Sequence, residues 1–518
     1  MLDYESKESV PTSEAPADSY FSTKHLRADL GRRTARGGVV TVVSQALTFI
    51  ITLGATAVMA RLLTPQDYGL VGMVAVFANF VAMFKDMGLS TATIQRAEID
   101  YYQISTLFWL NVALSVAVMA IAIALSPAVA WFYGDWRLLS ITIVTSFGFL
   151  ISGLMVQHEA LLRRQMRFLV LAVASLSSVI VGYIVGITFA WYGFKYWALV
   201  FSQLALVSFN TIAVWIACRW RPGRPRRNTG VGSMVRFGGN LTGFTTINYF
   251  SRNLDNLLIG RVWGAMQLGF YSRAYQLMMI PIDQINMPIT SVAVPALSRL
   301  TDSPAQYRKA YLRMLEKVAI ITMPGVALMI ACADWIVGIV LGPQWGEASR
   351  IFVLLGITGL IQPVANTTGW LFLSQGRGDR MLKWGMISGP LTIASIVAGL
   401  PWGAAGVAAA YTAVRVCLTE PLLFWFVGRE GPVRTVDFYK TMAPFVFASV
   451  CVLLAVFGFR RLHAVDNRLV GLVISSAIAF VVTVLALLVI PAGRAALRDM
   501  KNLLQLLGMQ KSQSSLAP

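Results

Sequence analysis

Charge is scarce in this 518-residue chain: 13% of its residues are Asp, Glu, Lys or Arg, against 56% hydrophobic. A soluble chain of this size cannot clothe its surface at that ratio, which excludes a globular aqueous protein. Histidine and cysteine are nearly absent. His25, His158 and His463 are isolated, and Cys218, Cys332, Cys417 and Cys451 show no paired or metal-ligand spacing. That excludes a disulfide scaffold and gives no support to a zinc centre. The sequence also lacks a Walker-type phosphate loop and any Ser-His-Asp or Cys-His grouping, so neither ATP-driven pumping by this chain alone nor nucleophilic catalysis is expected. Ahead of Arg27 the chain is polar without an apolar core, so a cleaved signal peptide is not expected and residues 1–33 read as a disordered tail.

What is present is a rhythm of apolar runs, each of roughly 20 residues and long enough to cross a bilayer as a helix. They cover 37–60, 68–92, 103–125, 137–158, 168–190, 195–217, 236–259, 269–297, 315–341, 349–374, 382–400, 403–427, 438–458 and 469–490. Backbone groups in hydrocarbon must bond internally, so these runs are helices. The expectation is an all-α membrane protein of about 14 transmembrane helices, with Pro288, Pro295 and Pro324 kinking or breaking theirs.

The formal net charge of +19 invites a nucleic-acid partner, but its distribution argues otherwise. Alternate loops collect Arg32, Arg33 and Arg36; Arg163, Arg164 and Arg167; Arg219 through Arg236; Arg308, Lys309 and Arg313; Arg377, Arg380 and Lys383; and Arg494 and Arg498. The intervening loops hold few cations until a cluster of Arg460, Arg461 and Arg468. This is the positive-inside pattern of a multi-pass protein with both termini cytoplasmic. Basicity therefore reports orientation, and no nucleic-acid partner is expected. The outer loops are too short to hold the catalytic domain of a membrane polymerase or glycosyltransferase.

An internal repeat organises the chain. Sliding it by 200 residues places Arg36 on Arg236, Gly38 on Gly238, Arg61 on Arg261 and Gly69 on Gly269. The matches fall at equivalent topological points, which suggests two parallel six-helix halves with a substrate path between them that opens alternately to each side. The domains expected are an N-lobe at 34–218, a basic cytoplasmic linker at 219–235, a C-lobe at 236–430, helices 13 and 14 at 431–492 and an amphipathic tail at 493–518.

Three blocks carry a family resemblance. Arg61-Leu62-Leu63-Thr64-Pro65-Gln66-Asp67-Tyr68-Gly69 resembles the "R-x-L-x-P-x-x-Y/F-G" signature of polysaccharide-repeat flippases, and Phe84 to Ala92 resembles the segment closing that helix. Asp255 to Gly260 with Leu268 to Tyr275 resembles their "D-x-x-L-I-G…L-G-x-Y-x-x-A-Y" block. The likeness covers about 34–430 and points to the Wzx-type, colanic-acid-exporter-like branch of the multidrug/oligosaccharidyl-lipid/polysaccharide exporter superfamily. It implies two six-helix lobes in a V, plus an accessory helix pair. The function it implies is flipping of an undecaprenyl-pyrophosphate-linked oligosaccharide across the bacterial inner membrane. The lipid II flippases of that superfamily carry arginine inside the first helix. Here Gly37 to Ala60 is uncharged, with Thr52 and Ala55 standing where the repeat has Arg252 and Asp255, so a lipid II flippase is disfavoured.

Ionisable groups within the bilayer are costly and mark candidate sites. Thr245, Asn248, Arg252 and Asp255 form one polar stripe on the seventh helix; Arg273, Gln276, Asp283 and Gln284 form another on the eighth. A guanidinium fork suits pyrophosphate oxygens, so Arg252, Arg273 and Arg415 are candidate substrate-binding residues, with Lys85, Asn248 and Gln276 beside them. Structural ion pairing, including Arg252 with Asp255, or snorkelling to the interface would explain the arginines equally. Arg415 lies roughly 18 Å into its span at 1.5 Å per residue. Asp255 and Glu420 are candidates for a coupling proton or sodium ion, with an ion pair to a nearby arginine as the alternative. Asp86 and Asp283 are candidate gating groups, and His158 and Glu159 read as interfacial. No other cofactor is expected; lipid-linked oligosaccharide, membrane lipids, and polysaccharide polymerase and export machinery are the expected partners.

Aromatics near span ends, among them Trp131, Trp136, Trp191 and Tyr192, read as an interfacial belt. Arg494 to Gln510 reads as an amphipathic helix on the inner leaflet, with Leu497, Met500, Leu504 and Leu507 on one face. The competing reading is a cation-coupled multidrug exporter of the same superfamily. Its cationic substrates would favour an acid-lined cavity, against the arginines found here.

Overall fold

The computed structural model describes residues 30–84, 89–96, 99–226, 232–463, 465–500 and 505. Every regular element among them is helical: α1 (Leu30–Leu62), α2 (Pro65–Ala82), α3 (Leu89–Gln95), α4 (Tyr101–Tyr133), α5 (Arg137–Arg164), α6 (Phe168–Trp191), α7 (Tyr196–Ala217), α8 (Gly232–Ser298), α9 (Pro304–Ala331), α10 (Ala333–Val340), α11 (Gly346–Ser374), α12 (Gly378–Gly399), α13 (Gly403–Val414), α14 (Glu420–Gly428), α15 (Thr435–Leu462) and α16 (Arg468–Val489). Ten segments among the described residues are long and apolar enough to cross a membrane. One of these, 378–428, contains the eleventh and twelfth runs of the sequence. The seventh and eighth runs lie in α8, and the described residues of the second run are divided between α2 and α3; all three runs fall outside that set of ten.

Helices start and stop where backbone chemistry requires. Thr64 and Asp67 cap α2 reciprocally: the Thr64 N–H donates to Asp67 Oδ2 at 2.9 Å, and the Asp67 N–H donates to Thr64 Oγ1 at 3.3 Å. Pro65 takes the first helical position, where its missing N–H costs nothing. Asp100 and Gln103 form a second capping box at the start of α4, and Gly134 closes α4 at φ 73°. None of the prolines singled out in the sequence breaks its helix. α8 continues through Pro288 and Pro295, and α9 through Pro324, without breaking; the interruption of α8 is Gly264, at φ 78° and ψ −178°. A left-handed φ of this kind is a glycine conformation, and it divides α8 into two helices at a position the prolines did not mark.

The chain forms two compact units, one built from α1 and residues 74–249, the other from 63–73 and the chain from 250 onward. The division falls inside α8 and assigns the start of α2 to the second unit, whereas the composition of the chain placed it in the basic linker.

Within the first unit α6 packs on α7, and α4 on α5. The buried residues of α6 are Ala174, Ser178, Gly182, Gly186 and Ala190, one small residue every four. That spacing lets backbones approach closely without hydrophobic help from water, and Ser202 Oγ donates to Gly182 O at 2.8 Å across the contact. A neutral polar chain crosses the same unit: Thr93 Oγ1 donates to Gln157 Oε1 at 2.9 Å and Gln157 Nε2 to Asn111 Oδ1 at 2.7 Å. His158, read as interfacial from its place at a helix end, packs inside the protein there. It is fully buried, stacked on Trp215 with ring centres 4.2 Å apart.

In the second unit α15 lies along α9, and α16 along α15. Arg308 forks onto the Asp437 carboxylate, with Nε 2.8 Å from Oδ2. At the other end Arg460 binds Asp334 at 2.5 Å, reaches Ala331 O, and lies 4.2 Å from the Trp335 ring centre. The basic cluster that broke the loop-charge pattern is thus partly engaged in holding the accessory helices. The expected amphipathic tail is helical over 491–500. Ala496 is buried there and Leu497 packs against the core of this unit, so this stretch docks on protein; Leu504, Leu507 and Gln510 lie outside the described residues.

Candidate substrate and ion-coupling site

α13 and α14 are joined by a single π turn, Arg415–Thr419, in which the Glu420 N–H bonds to Arg415 O. The cause is legible locally. Pro421 follows and has no N–H to continue the α ladder, so the chain widens by one residue ahead of it. The consequence is chemical. In an α-helix residues five apart point about 140° away from each other, whereas the π turn brings Arg415 and Glu420 to the same side. Arg415 Nη2 lies 2.5 Å from Glu420 Oε1, and their side chains are 22% and 2% exposed. Arg415 Nη1 also donates to Tyr411 Oη at 3.2 Å, one turn earlier. An ion pair this deep is held because both charges are matched, and leaving either alone would be costly.

Asp255, from the stripe on the first part of α8, meets the second part of the same element. Tyr271 Oη donates to Asp255 Oδ2 at 2.9 Å, and the Asn256 N–H donates to Asp255 Oδ1 at 2.8 Å. Tyr271 is fully buried and its ring lies parallel to that of Tyr275, 6.4 Å away. The sequence singled out Asp255, Arg415 and Glu420 but missed the tyrosines beside them, Tyr271 on Asp255 and Tyr411 on Arg415. Tyr271 could have been found, since it is the tyrosine of the "L-G-x-Y" block.

Arg273 is placed differently. Its guanidinium sits 4.3 Å from the Tyr68 ring centre, and Nη1 donates to Gln276 Oε1 at 2.6 Å. Tyr68 in turn meets Trp345 edge-on at 5.4 Å. The same locality holds a close approach of two helix backbones. A Cβ on Gly69 would collide with the Ala265 carbonyl, and a Cβ on Gly269 with the Pro65 carbonyl. These two pairs exchange under the 200-residue shift, so the repeat read from sequence is realised as a reciprocal helix crossing. Thr64 starts one crossing helix and Gly264, its counterpart, starts the other.

The remaining candidates cannot be placed in this geometry. Lys85 and Asp86 lie outside the described residues, and the side chains of Asn248, Arg252 and Asp283 do too, although their backbones are helical in α8.

A family model described as polysaccharide biosynthesis protein matches residues 58–350, more than half of the chain. The chain belongs to the polysaccharide biosynthesis protein family. It is 27% identical over 405 residues to the lipopolysaccharide biosynthesis protein WzxC of Escherichia coli (strain K12), covering 77% of this chain and 81% of that one. It is 28% identical over 352 residues to the teichuronic acid biosynthesis protein TuaB of Bacillus subtilis (strain 168), covering 67% and 72%. Among solved structures it resembles the lipid II flippase MurJ in an inward closed conformation, with a TM-score of 0.68 at 12% identity, over 86% of this chain and 97% of that one. At that identity the likeness establishes a shared fold. The polysaccharide-exporter resemblance of the signature blocks and the all-helical membrane fold are both upheld.

Proposed function

We propose that this protein flips oligosaccharide repeat units linked to undecaprenyl pyrophosphate across the bacterial inner membrane by alternating access. It thereby supplies exopolysaccharide, capsule or O-antigen assembly. The observation that carries the reading is family membership in a multi-pass helical chain. The chain acts as a transporter rather than an enzyme, with both termini in the cytoplasm and the polysaccharide polymerase and export machinery as downstream partners.

The chemistry divides between two kinds of group. Arg252 and Arg273, aided by Asn248, Gln276 and Lys85, engage the pyrophosphate, since guanidinium forks match its oxygens. For Arg273 this means leaving the Tyr68 ring, which a doubly charged phosphate can compensate and a neutral ligand cannot. Arg415 is already paired with Glu420, so it serves the same site as a gating group whose partner must be released. Asp255 and Glu420 carry the coupling proton or sodium ion, and Asp86 and Asp283 complete the gate. A multidrug exporter would use acids to receive cations. The arginines in this half favour an anionic substrate instead.

The reading is tested in a strain lacking the gene. Loss of polysaccharide, with completed repeat units stranded on their lipid carrier at the inner leaflet, is the expected result. Normal polysaccharide together with drug hypersensitivity would move the chain to the multidrug reading and remove the pyrophosphate role of its arginines.

A further inference from the structure

We propose that the arginine strip 219–226, read from composition as a simple linker, is a docking surface for the headgroups of anionic phospholipids. α7 ends at Ala217 and the strip begins two residues later. It therefore lies at the end of membrane-crossing helices, at headgroup depth, where cationic side chains meet the lipid surface potential.

Two features separate it from a solvated basic loop. Its backbone is fixed along the first turns of α4. Tyr101 Oη donates to Arg221 O at 3.1 Å and Trp109 Nε1 to Gly223 O at 2.8 Å. The Gly223 N–H donates to Ser105 Oγ at 3.0 Å and the Arg226 N–H to Thr106 Oγ1 at 3.3 Å. Trp220 anchors the strip: it is 2% exposed, with its ring centre 6.1 Å from that of Phe108 and 4.9 Å from that of His158. The second feature is alternation. While Trp220 points in, Arg219, Arg221, Arg224 and Arg226 are all exposed. Pro222 and Pro225 restrict the backbone between them.

Among the described residues no acid pairs with the strip. Asp100 accepts from the Gln103 N–H as a helix cap, and Glu159 pairs with Arg163 at 2.6 Å. Tyr102 and Trp109 are exposed beside the arginines, and Arg226 lies 3.7 Å from the Tyr102 ring centre. Aromatic rings of this kind belong at the interface. A row of arginines on a fixed backbone loses less freedom on binding than a mobile loop would, and each is expected to strengthen association with an anionic surface about fivefold.

The test uses the full chain in vesicles of phosphatidylcholine containing a trace of phosphatidylglycerol with a photoactivatable headgroup, with crosslinks mapped by mass spectrometry. We expect crosslinks on 101–109 and 219–226 that unlabelled phosphatidylglycerol competes away and extra phosphatidylcholine does not. Changing all four arginines to glutamine (R219Q, R221Q, R224Q, R226Q) should cut labelling of these segments at least tenfold, while crosslinks elsewhere on the chain persist and report an intact fold. The matching lysine variant should retain labelling, and Trp220→Ala, which keeps every charge but frees the backbone, should reduce it. The proposal is overturned if the glutamine variant labels as the wild type does, or if phosphatidylcholine competes equally.

Discussion

At Thr64 and again at Gly264 the chain starts a helix, and five residues later a glycine rests on the backbone of the other helix's first turn. Nothing comparable repeats nine residues earlier, where one half has Ala55 and the other Asp255. The two halves thus share their backbone contacts and differ in their polar chemistry. The first unit holds the neutral Thr93–Gln157–Asn111 chain, whereas the second holds the Asp255–Tyr271 bond and the Arg415–Glu420 pair. A repeat fixes where backbones must meet, and only side chains decide which half handles charge. The ion coupling proposed for Asp255 and Glu420 would accordingly belong to the second half.

That asymmetry can be attacked at its strongest point first. Glu420→Ala leaves Arg415 buried without its partner and should cost about 3–5 kcal/mol, while Arg415→Leu combined with Glu420→Leu should recover most of that stability. Thermal unfolding of the purified variants measures both, and equal losses in the single and double variants would show that the pair is not coupled. Export should be lost in both. Tyr271→Phe removes a hydrogen bond to a carboxylate and should cost about 1.5–3 kcal/mol. In a transport assay with and without an imposed gradient, Asp255→Asn should leave export independent of proton or sodium gradient; a wild-type gradient dependence would take Asp255 out of coupling.

Smaller effects are expected from the shared part. Gly69→Ala and Gly269→Ala each drive a methyl into a carbonyl that belongs to a helix backbone, costing about 1–3 kcal/mol. Their effects should be similar to each other, because the crossing is reciprocal. Gly54 has open space around it, and Gly54→Ala should change stability by less than about 0.5 kcal/mol. A large effect at Gly54, or unequal effects at the crossing pair, would undo the symmetry argument.

Much of this was legible before any coordinates. Apolar run length located the helices, because hydrocarbon thickness sets the length of a span. The repeat emerged because glycine is nearly obligatory where backbones touch, so Gly69 and Gly269 leave a mark that survives divergence of their surroundings. Arg415 and Glu420 stood out because charge is so rare in this chain. An ion pair to a nearby arginine was the alternative reading of Glu420, but its geometry was hidden, since residues five apart face different ways on an α-helix and only the turn forced by Pro421 brings Arg415 and Glu420 together. Partners from other helices or segments were equally silent: the Tyr271 hydroxyl on Asp255, the Tyr68 ring under Arg273 and the Trp215 ring against His158 have no periodic signature. The strip at 219–226 looked like a linker because its composition is that of one. Its attachment runs through backbone groups, which sequence does not display.

The most direct test of the central claim is flipping itself. Purified protein would be reconstituted into vesicles loaded on one leaflet with an undecaprenyl-pyrophosphate-linked repeat unit, and exposure of the sugar on the opposite face followed with an impermeant glycosidase or lectin. The account predicts protein-dependent exposure that is abolished in Arg252→Ala at equal protein content. Exposure that proceeds unchanged in that variant would remove Arg252 from the substrate path, and none with the wild type under an imposed proton or sodium gradient would contradict the flippase assignment.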